Sequence, residues 1–201
     1  FREGHEWAKF EIPLIGDFNV LNSLAVVIAA DAWGLDSKAI AAALATFKNV
    51  RRRAEVRGEA GGVTVIDDFA HHPTAVRETL RALRLRYAGR RLIAVFEPRS
   101  WSSRLSVFQN EYPKSFVAAD LVVIANVFDV EKVKEKGAML STAKLIEDIA
   151  KQNKPAIALT GVDEILRYLI PELREGDVVA IMSNGGFGDI HEKLLAALKE
   201  Q

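Results

Sequence analysis

The sequence predicts an α/β fold with a Rossmann-like, mostly parallel sheet that carries helices on both faces. From about residue 54 onward, short apolar segments alternate with amphipathic helical segments, and this repeated order requires right-handed crossovers between parallel strands. Segments such as LIAVF and VVAIM are continuously apolar, as expected for strands that are buried on both faces. In such a sheet, ligands usually bind at the edge formed by the carboxyl ends of the strands.

The first 53 residues follow a different pattern. Residues 19–33 and 36–47 are rich in alanine and follow helical spacing, which predicts two consecutive helices. Asn19 and Asp36 are expected N-caps, because short polar side chains accept hydrogen bonds from the amides that a helix start leaves unpaired. Gly34 is expected to end the first helix. The chain is thus predicted to contain a helical pair followed by an α/β domain.

The strands and helices of the α/β part follow from apolar spacing and turn residues. Gly61 and Gly62 separate the first two strands closely enough to predict a hairpin, and Pro73 fits the first position of a helix. The predicted strands are 54–58, 63–67, 91–97, 121–126, 155–159 and 177–182. The predicted helices are 73–87, 103–118, 141–152, 162–169 and 187–199.

The composition excludes several classes of function. With 27 basic and 27 acidic side chains, the chain has no excess charge to attract nucleic acid or an anionic membrane. It has no cysteine, which excludes disulfides, zinc–thiolate sites and thiol nucleophiles. No apolar run reaches the roughly 18 residues that a membrane span needs, and the first residues lack the apolar core of a signal peptide. A cytoplasmic protein is expected.

The segment IDDFAHHP, between the second strand and the next helix, concentrates chemically active side chains. Asp68 suits a ribose diol, because both carboxylate oxygens accept hydrogen bonds from vicinal hydroxyls, although a turn aspartate has the same position. His71 and His72 could bind a metal, relay a proton or hydrogen-bond an anionic substrate, and the alternative is a structural role as a helix cap or in packing. Two adjacent histidines without a third ligand make a poor metal site, so no metal site is predicted here.

The segment FEPRS repeats this arrangement at the end of the third strand. Arg99 presents paired N–H donors that can fork onto a carboxylate or phosphate, which lysine cannot reproduce. Arg104 follows about one helical turn later and could add a second positive charge. Taken alone, Arg104 is interpreted as a surface arginine.

The segment MSNGGFGD joins the last strand to the last helix. Gly185, Gly186 and Gly188 permit positive φ angles and close approach of the backbone, and amides at a helix start attract anions. The motif is not the dinucleotide fingerprint G-x-G-x-x-G and follows the last strand, so an NAD site is rejected. The alternative is a tight turn in which Phe187 fills the core.

Together, these motifs resemble the Mur ligases of peptidoglycan synthesis and recycling. GDFNVLNSLA is similar to the family's G-x-x-N-x-x-N-x-x-A helix, NVRRRAEVRGEAGGVTVIDDFAHHP to the entry of its third domain, and FEPRS and MSNGGFG to its later substrate loops. The resemblance covers nearly the whole chain. Three loops look most like the members whose acceptor is the murein tripeptide, since members that add L-alanine usually read DDYGHHPTE and QPHRYSRT.

The resemblance implies an ATP-dependent amide ligase that activates UDP-N-acetylmuramate as an acyl phosphate, which the amine of the tripeptide L-Ala-γ-D-Glu-meso-diaminopimelate then attacks. By position, Asn19 and Asn22 would contact adenine, and Arg53 and Asp68 would hold the ribose and phosphates. The implied catalytic residues are His71 and His72. The residues implied to orient the peptide and the acyl phosphate are Arg99, Ser183, Asn184, Gly185, Gly186, Phe187 and Gly188. One departure is Phe18, where the family often has histidine.

A second departure is that no G-x-x-x-x-G-K-[ST] phosphate loop occurs in the 201 residues. In the family, this loop and the main ligands of Mg²⁺ belong to the central domain. The resemblance therefore implies that residues 1–53 are the tail of the central ATP-binding domain and residues 54–201 are the complete third domain. The missing N-terminal and central domains would then be partners, and the 201 residues alone are not expected to catalyse ligation.

Two alternatives stay open at this point. One is a member of the family that adds L-alanine. The other is a free-standing Rossmann-like module that binds a nucleotide or partner without catalysis. That module would pack residues 1–53 as an integral part of its domain, whereas the fragment interpretation predicts a helical pair with an open apolar face.

Overall fold

The computed structural model of the protein describes residues 4–131 and 137–200. The chain divides into two compact units, Phe1–Arg51 and Arg52–Gln201. In the described ranges, no helix is long and apolar enough to cross a membrane.

The first unit contains helices α1, Asp17–Ala32, and α2, Ser37–Ala45. The carboxylate of Asp36 caps α2 by accepting hydrogen bonds from two backbone amides, at 2.9 and 3.0 Å, which confirms the predicted cap. Gly34 follows α1 with a φ of 84°, as predicted.

The prediction of Asn19 as an N-cap is wrong. Helix α1 begins two residues earlier, after Gly16, so Asn19 lies inside its first turn. The Asn19 amide nitrogen instead donates to the carbonyl of Ile15 at 2.7 Å.

The second unit is built on a six-stranded sheet with the strand order β1-β2-β6-β3-β4-β5. The first two strands form the predicted antiparallel hairpin, and the other neighbours pair in parallel. This topology confirms the predicted α/β class with its mostly parallel sheet. The strands are β1 Glu55–Ala60, β2 Val63–Asp68, β3 Leu92–Phe96, β4 Leu121–Ala125, β5 Ala156–Leu159 and β6 Val178–Met182.

Helices cover both faces of this sheet. Helices of the second unit include α3 Pro73–Arg86, α4 Trp101–Arg104, α5 Tyr112–Ser115, α6 Thr142–Ala150, α7 Gly161–Glu172 and α8 Ile190–Lys199. On one face, Phe96 of β3 packs against Tyr112 and Phe116, with ring centroids 5.2 and 5.8 Å apart. On the other face, buried aliphatic side chains of α7 and α8 join those of the four central strands in one core.

The predicted continuous helix at 103–118 is wrong. Leu105 is extended, with φ −93° and ψ 154°, and forms an isolated bridge with Met139. Ser106 donates its amide to Ala138 at 2.8 Å. Pro113, which has no N–H, lies in the first turn of α5, where that donor is not needed. The segment therefore consists of two short helices and a 3₁₀ turn, because pairing with residues 138 and 139 competes with helix formation.

Candidate functional site

Three adjacent strands of the sheet end in register. Asp68 at the end of β2 is paired with Met182 at the end of β6, which is paired in turn with Phe96 at the end of β3. The loops that follow therefore begin at the same edge of the sheet, where ligands usually bind in such folds. We refer to Ser183–Gly188 as the glycine loop.

Glu97 links two of these loops. Its side chain is buried, with 6% of the residue exposed, and Oε2 accepts a hydrogen bond from the Ser183 hydroxyl at 2.5 Å. Oε1 accepts from Arg99 Nη1 at 3.4 Å, and the Ser183 hydroxyl oxygen accepts from the Gly185 amide at 2.9 Å. Sequence analysis assigned no role to Glu97. The missed signal was a carboxylate directly after a fully apolar strand, because such a buried charge needs partners.

Arg99 is held from several sides but stays partly open. Its guanidinium carbon lies 3.8 Å from the centre of the Phe128 ring, a short cation–π contact. A Cβ atom at Gly185 would lie 2.1 Å from Arg99 Nε, so only glycine fits there without moving the arginine. The Arg99 side chain remains 31% exposed. Arg99 and the glycine loop, both implied by the resemblance to orient the substrates, are therefore in direct packing contact.

The glycine loop contains both buried and exposed residues. Phe187 is buried in the core, as the alternative interpretation expected, so its backbone alone remains for contact with a ligand. Gly186 and Gly188 are exposed. Asn184 has a buried side-chain oxygen without a hydrogen-bond partner among the residues that the structure describes. A loop with exposed glycine backbone and a buried polar atom is suited to bind a polar ligand.

Asp68 is already engaged by the protein. Its Oδ2 accepts from the Ala54 amide at 2.7 Å, and its Oδ1 accepts from the Ala70 amide at 2.7 Å and from the Thr79 hydroxyl at 3.3 Å. Burial raises the pKa of this carboxyl, and the two amide hydrogen bonds oppose that shift. These bonds tie the end of β2 to the residue before β1, to the loop that follows β2 and to α3. The predicted ribose contact of Asp68 stays a prediction.

The two histidines occupy different environments. His72 caps α3, since its Nδ1 accepts from the Thr74 amide at 3.3 Å, and its ring meets Phe108 edge-on at 4.6 Å. His71 is half-buried, with Nδ1 3.1 Å from the Phe69 carbonyl oxygen. The capping alternative for His72 is therefore present in the structure. The catalytic roles of both residues stay predictions.

Arg52 and Asp67 form a cluster that sequence analysis missed. Asp67 is 2% exposed, and Oδ1 lies 3.3 Å from Arg52 Nε and 3.5 Å from His191 Nε2, while Oδ2 lies 3.4 Å from Arg57 Nη1. Arg52 Nη2 also donates to the Ser183 carbonyl at 2.5 Å and the Gly185 carbonyl at 2.8 Å. No local spacing could reveal these contacts, because Arg52 and Ser183 are 131 positions apart.

The other residues predicted to contact the nucleotide are Arg53, in the second unit, and Asn19 and Asn22, in the first. Arg53 is exposed and lies over the Phe69 ring at 5.6 Å, beside the loop of Asp68. Asn19 and Asn22 both lie in α1 of the first unit, where Asn22 is exposed and Asn19 is half-buried. Across residues 4–131 and 137–200, no group of three or more His, Asp or Glu side chains could hold a metal ion.

Comparisons with known proteins identify relatives over the whole chain. The family model described as "Mur ligase, glutamate ligase domain" matches residues 52–185. The UDP-N-acetylmuramate–L-alanyl-γ-D-glutamyl-meso-2,6-diaminoheptandioate ligase of Escherichia coli is 37% identical over 200 residues, covering 99% of this chain and 41% of that protein. The UDP-N-acetylmuramate–L-alanine ligase of Nostoc punctiforme is 34% identical over 201 residues, covering 100% and 41%.

A solved structure supports the same relationship. The crystal structure of a murein peptide ligase from Psychrobacter arcticus is 32% identical, covers 96% of this chain and 39% of that chain, and superposes with a TM-score of 0.73. The chain thus spans about 41% of the length of the curated relatives reported above.

Proposed function

Because this chain belongs to the Mur ligase family, we propose that it is the C-terminal portion of an ATP-dependent ligase that joins UDP-N-acetylmuramate to the murein tripeptide. In this proposal, residues 1–53 are the tail of the central ATP-binding domain, and residues 54–201 are the domain that receives the acceptor peptide. The remaining parts of the active site lie in the roughly three fifths of the relatives' length that this chain does not cover. Ligation therefore requires the full-length enzyme.

The reaction has two steps. The carboxylate of UDP-N-acetylmuramate takes the γ-phosphoryl group of ATP, which gives an acyl phosphate and ADP. The amine of the tripeptide then attacks the acyl carbon, phosphate leaves, and the nitrogen loses a proton. Both steps depend on orientation and on positive charge near the phosphoryl oxygens more than on covalent catalysis. The residues of this chain would therefore act mainly by positioning.

The observation that carries the proposal is the setting of Arg99. Its guanidinium lies against Gly185 of the glycine loop, pairs with Glu97 and stacks on Phe128. A guanidinium that is held in this way is pre-oriented to bind a carboxylate with two parallel hydrogen bonds. It would fix the acceptor so that its amine faces the acyl phosphate.

A second arginine supports an acceptor with more than one carboxylate. Arg104 donates from Nη1 to the carbonyl of Phe128 at 3.3 Å and lies over the Trp101 ring at 4.9 Å. Its Nε is buried without a hydrogen-bond partner among the described residues. Arg99 and Arg104 thus contact the same phenylalanine, one through the ring and one through the backbone. The tripeptide has several carboxylates for two such cations, whereas L-alanine has a single one.

The nucleotide contacts are part of the proposal. Asn19 and Asn22 would contact adenine, and Arg53 would reach the phosphates. A carboxylate accepts about four hydrogen bonds, and Asp68 already accepts three from the protein. A ribose hydroxyl would need the remaining acceptor position or would have to displace the Ala54 amide. The main ligands of Mg²⁺ are proposed to lie outside these 201 residues.

Specific observations bear on two other functions, an L-alanine ligase and a free-standing nucleotide-binding module. The 34% identity to an L-alanine ligase over 201 residues keeps L-alanine as the second candidate acceptor. A free-standing nucleotide-binding module is less well supported, because residues 1–51 form a separate unit. Helix α1 also exposes several large apolar side chains, as expected if further chain covers it. They are Val20, Leu21, Leu24, Val26 and Ile28.

A direct assay tests the proposal. The full-length ligase is supplied with ATP, Mg²⁺, UDP-N-acetylmuramate and either the tripeptide or L-alanine, and release of phosphate is measured. We expect the tripeptide to be preferred in kcat/KM by a factor on the order of 100 or more, since polar contacts discriminate strongly. Preference for L-alanine would assign the second candidate, and no ATP consumption with either acceptor would remove the ligase function.

A further inference from the structure

We infer that Arg52 is a positioning residue that sets the conformation of the glycine loop. The inference rests on the proposed function of that loop in orienting the acceptor and the acyl phosphate. Arg52 is not expected to touch either substrate, because its Nε and Nη2 groups donate to the protein itself.

The contacts of Arg52 connect the loop to the sheet. One nitrogen, Nη2, donates to two carbonyls of the glycine loop, those of Ser183 and Gly185, at 2.5 and 2.8 Å. Nε donates to Asp67 at the end of β2 at 3.3 Å, and the guanidinium lies over the Phe69 ring at 5.3 Å. Hydrogen bonds from a charged donor are stronger than neutral ones. The planar group therefore fixes the distance between the loop backbone and β2.

The backbone of the loop needs such a restraint. Phe187, Gly188 and Asp189 are consecutive residues with φ angles of 45°, 56° and 57°. The left-handed region is unfavourable for residues with a Cβ, so Phe187 and Asp189 persist there only if the surroundings hold them. On the side of β3, the restraint is the Ser183–Glu97 hydrogen bond. On the side of β2, Arg52 acts together with the backbone hydrogen bond from the Ser183 amide to the Asp68 carbonyl, at 3.1 Å. Arg52 itself has a φ of 59°.

Asp67 provides the counter-charge for Arg52 and also supplies a matched control. A buried carboxylate must be paired, and Arg52 and Arg57 both lie within ion-pair distance of it. Arg57 also pairs with Glu192, but it makes no hydrogen bond to a described carbonyl of the glycine loop. Loss of either arginine removes one ion pair from Asp67. Of the two arginines, only Arg52 bonds the glycine loop, so only its loss removes hydrogen bonds from that loop.

The first test uses the 201-residue chain and amide hydrogen exchange. We compare the wild type with Arg52→Ala and Arg57→Ala, after measuring the stability of each by urea denaturation. The amides of residues 184–190 should exchange about tenfold faster or more in Arg52→Ala, while those of the central strands stay protected. In Arg57→Ala, exchange in the loop should stay within about twofold. Equal acceleration in both variants would overturn the inference.

The second test uses the full-length ligase with the tripeptide. Arg52→Ala should lower kcat about 100-fold, because a displacement of the order of 1 Å in positioning groups has effects of this size, and KM for ATP should change little. Arg52→Lys should restore activity in part, since one ammonium group cannot pair with Asp67 and bond both carbonyls in the same geometry. Arg57→Ala should stay within about threefold of wild type. If Arg52→Ala accelerates amide exchange in the loop but leaves kcat unchanged, the positioning role is rejected.

The two proposals fail in different ways. If the wild-type ligase consumes ATP with neither acceptor, the proposed function is wrong, and the exchange experiment still decides whether Arg52 holds the loop. If the wild type is active and Arg52→Ala raises KM for ATP as much as it lowers kcat with the tripeptide, Arg52 supports the whole fold instead of the loop.

Discussion

Partly buried arginines lie at both ends of the parallel strands, but their hydrogen bonds differ. At the edge where the strands begin, Arg84 donates to the carbonyls of Ala118 and Arg90. Arg90 donates to the carbonyls of Gly176 and Asp177 and to the hydroxyl of Thr64, at 2.5–3.0 Å. At the edge where the strands end, Arg99 stacks on an aromatic ring. Its one hydrogen bond among residues 4–131 and 137–200 is a long one to Glu97.

The difference shows how to separate a structural arginine from one that can bind a ligand. A guanidinium whose donors are taken by fixed carbonyls holds turns together and has little left to offer. A guanidinium that is oriented by stacking keeps its planar donor edge for a carboxylate. Burial and charge alone do not distinguish the two. Arg52 lies at the second edge but resembles the first group, which is why we assign it a positioning role.

The largest expected effect comes from the edge where the strands begin. Arg90→Ala should lower the free energy of unfolding by roughly 3 kcal/mol, because it removes three hydrogen bonds and takes the donor from the partly buried Gly176 carbonyl and from the Thr64 hydroxyl. Urea denaturation of the 201-residue chain measures this loss. In the full-length ligase, KM for the tripeptide should be unchanged at temperatures where the variant is folded. A raised KM for the tripeptide would contradict the purely structural role that we assign to the arginines where the strands begin.

At the opposite edge, Gly185→Ala should mainly affect activity. The new Cβ would lie 2.1 Å from Arg99 Nε, so the guanidinium must leave its position. We expect kcat/KM for the tripeptide to fall about 100-fold, with a loss of stability of about 1 kcal/mol. Gly186→Ala is the matched control for stability, since a Cβ atom at Gly186 would meet no described atom within 4 Å and its φ is −72°. If the free energy of unfolding falls by more than the activation free energy for kcat/KM rises, the contact has a mainly structural role.

A milder change at the same edge is Arg99→Lys. An ammonium keeps the charge but loses the two parallel donors and the flat stacking surface on Phe128. KM for the tripeptide should rise about tenfold, while KM for ATP stays within about twofold. Equal increases for both substrates, measured by initial rates, would contradict the assignment of Arg99 to the acceptor.

The smallest expected effect concerns pH. Desolvation lowers the pKa of His191 below its usual value of 6.5, although Asp67 opposes the shift. The unfolded chain then gains a proton at this residue at a higher pH than the folded chain does, so stability falls as the pH drops below about 6.5. His191→Gln should make the urea-derived stability less steep between about pH 7 and pH 5. An unchanged slope would mean that His191 titrates normally.

The predictability of these features depends on how local their causes are. Continuous apolar strands and the Gly61–Gly62 turn are local signals, and they predicted the sheet and its hairpin correctly. The break after Arg104 was missed, because its cause is a bridge between Leu105 and Met139.

The adjacent carboxylates Asp67 and Asp68 also show what local sequence signals cannot predict. Asp67 and Asp68 look equivalent in the sequence, but successive side chains of a strand point to opposite faces. Asp67 therefore meets Arg52, Arg57 and His191. Asp68 meets the amides of Ala54 and Ala70 and the Thr79 hydroxyl. Only the fold reveals which partners each carboxylate acquires.

The strand order has a consequence for how the molecule assembles. Strand β6 is the last of the described strands along the chain, yet it lies between β2 and β3. Until residues 178–182 have been synthesised, β2 and β3 lack the strand that pairs with both of them. Their backbone N–H and C=O groups on that side stay unpaired and exposed. Contacts between such distant segments make folding slow and invite aggregation of incomplete chains. A nascent chain that stalls before β6 is therefore expected to depend on chaperones, because the loops after β2 and β3 cannot yet meet the glycine loop.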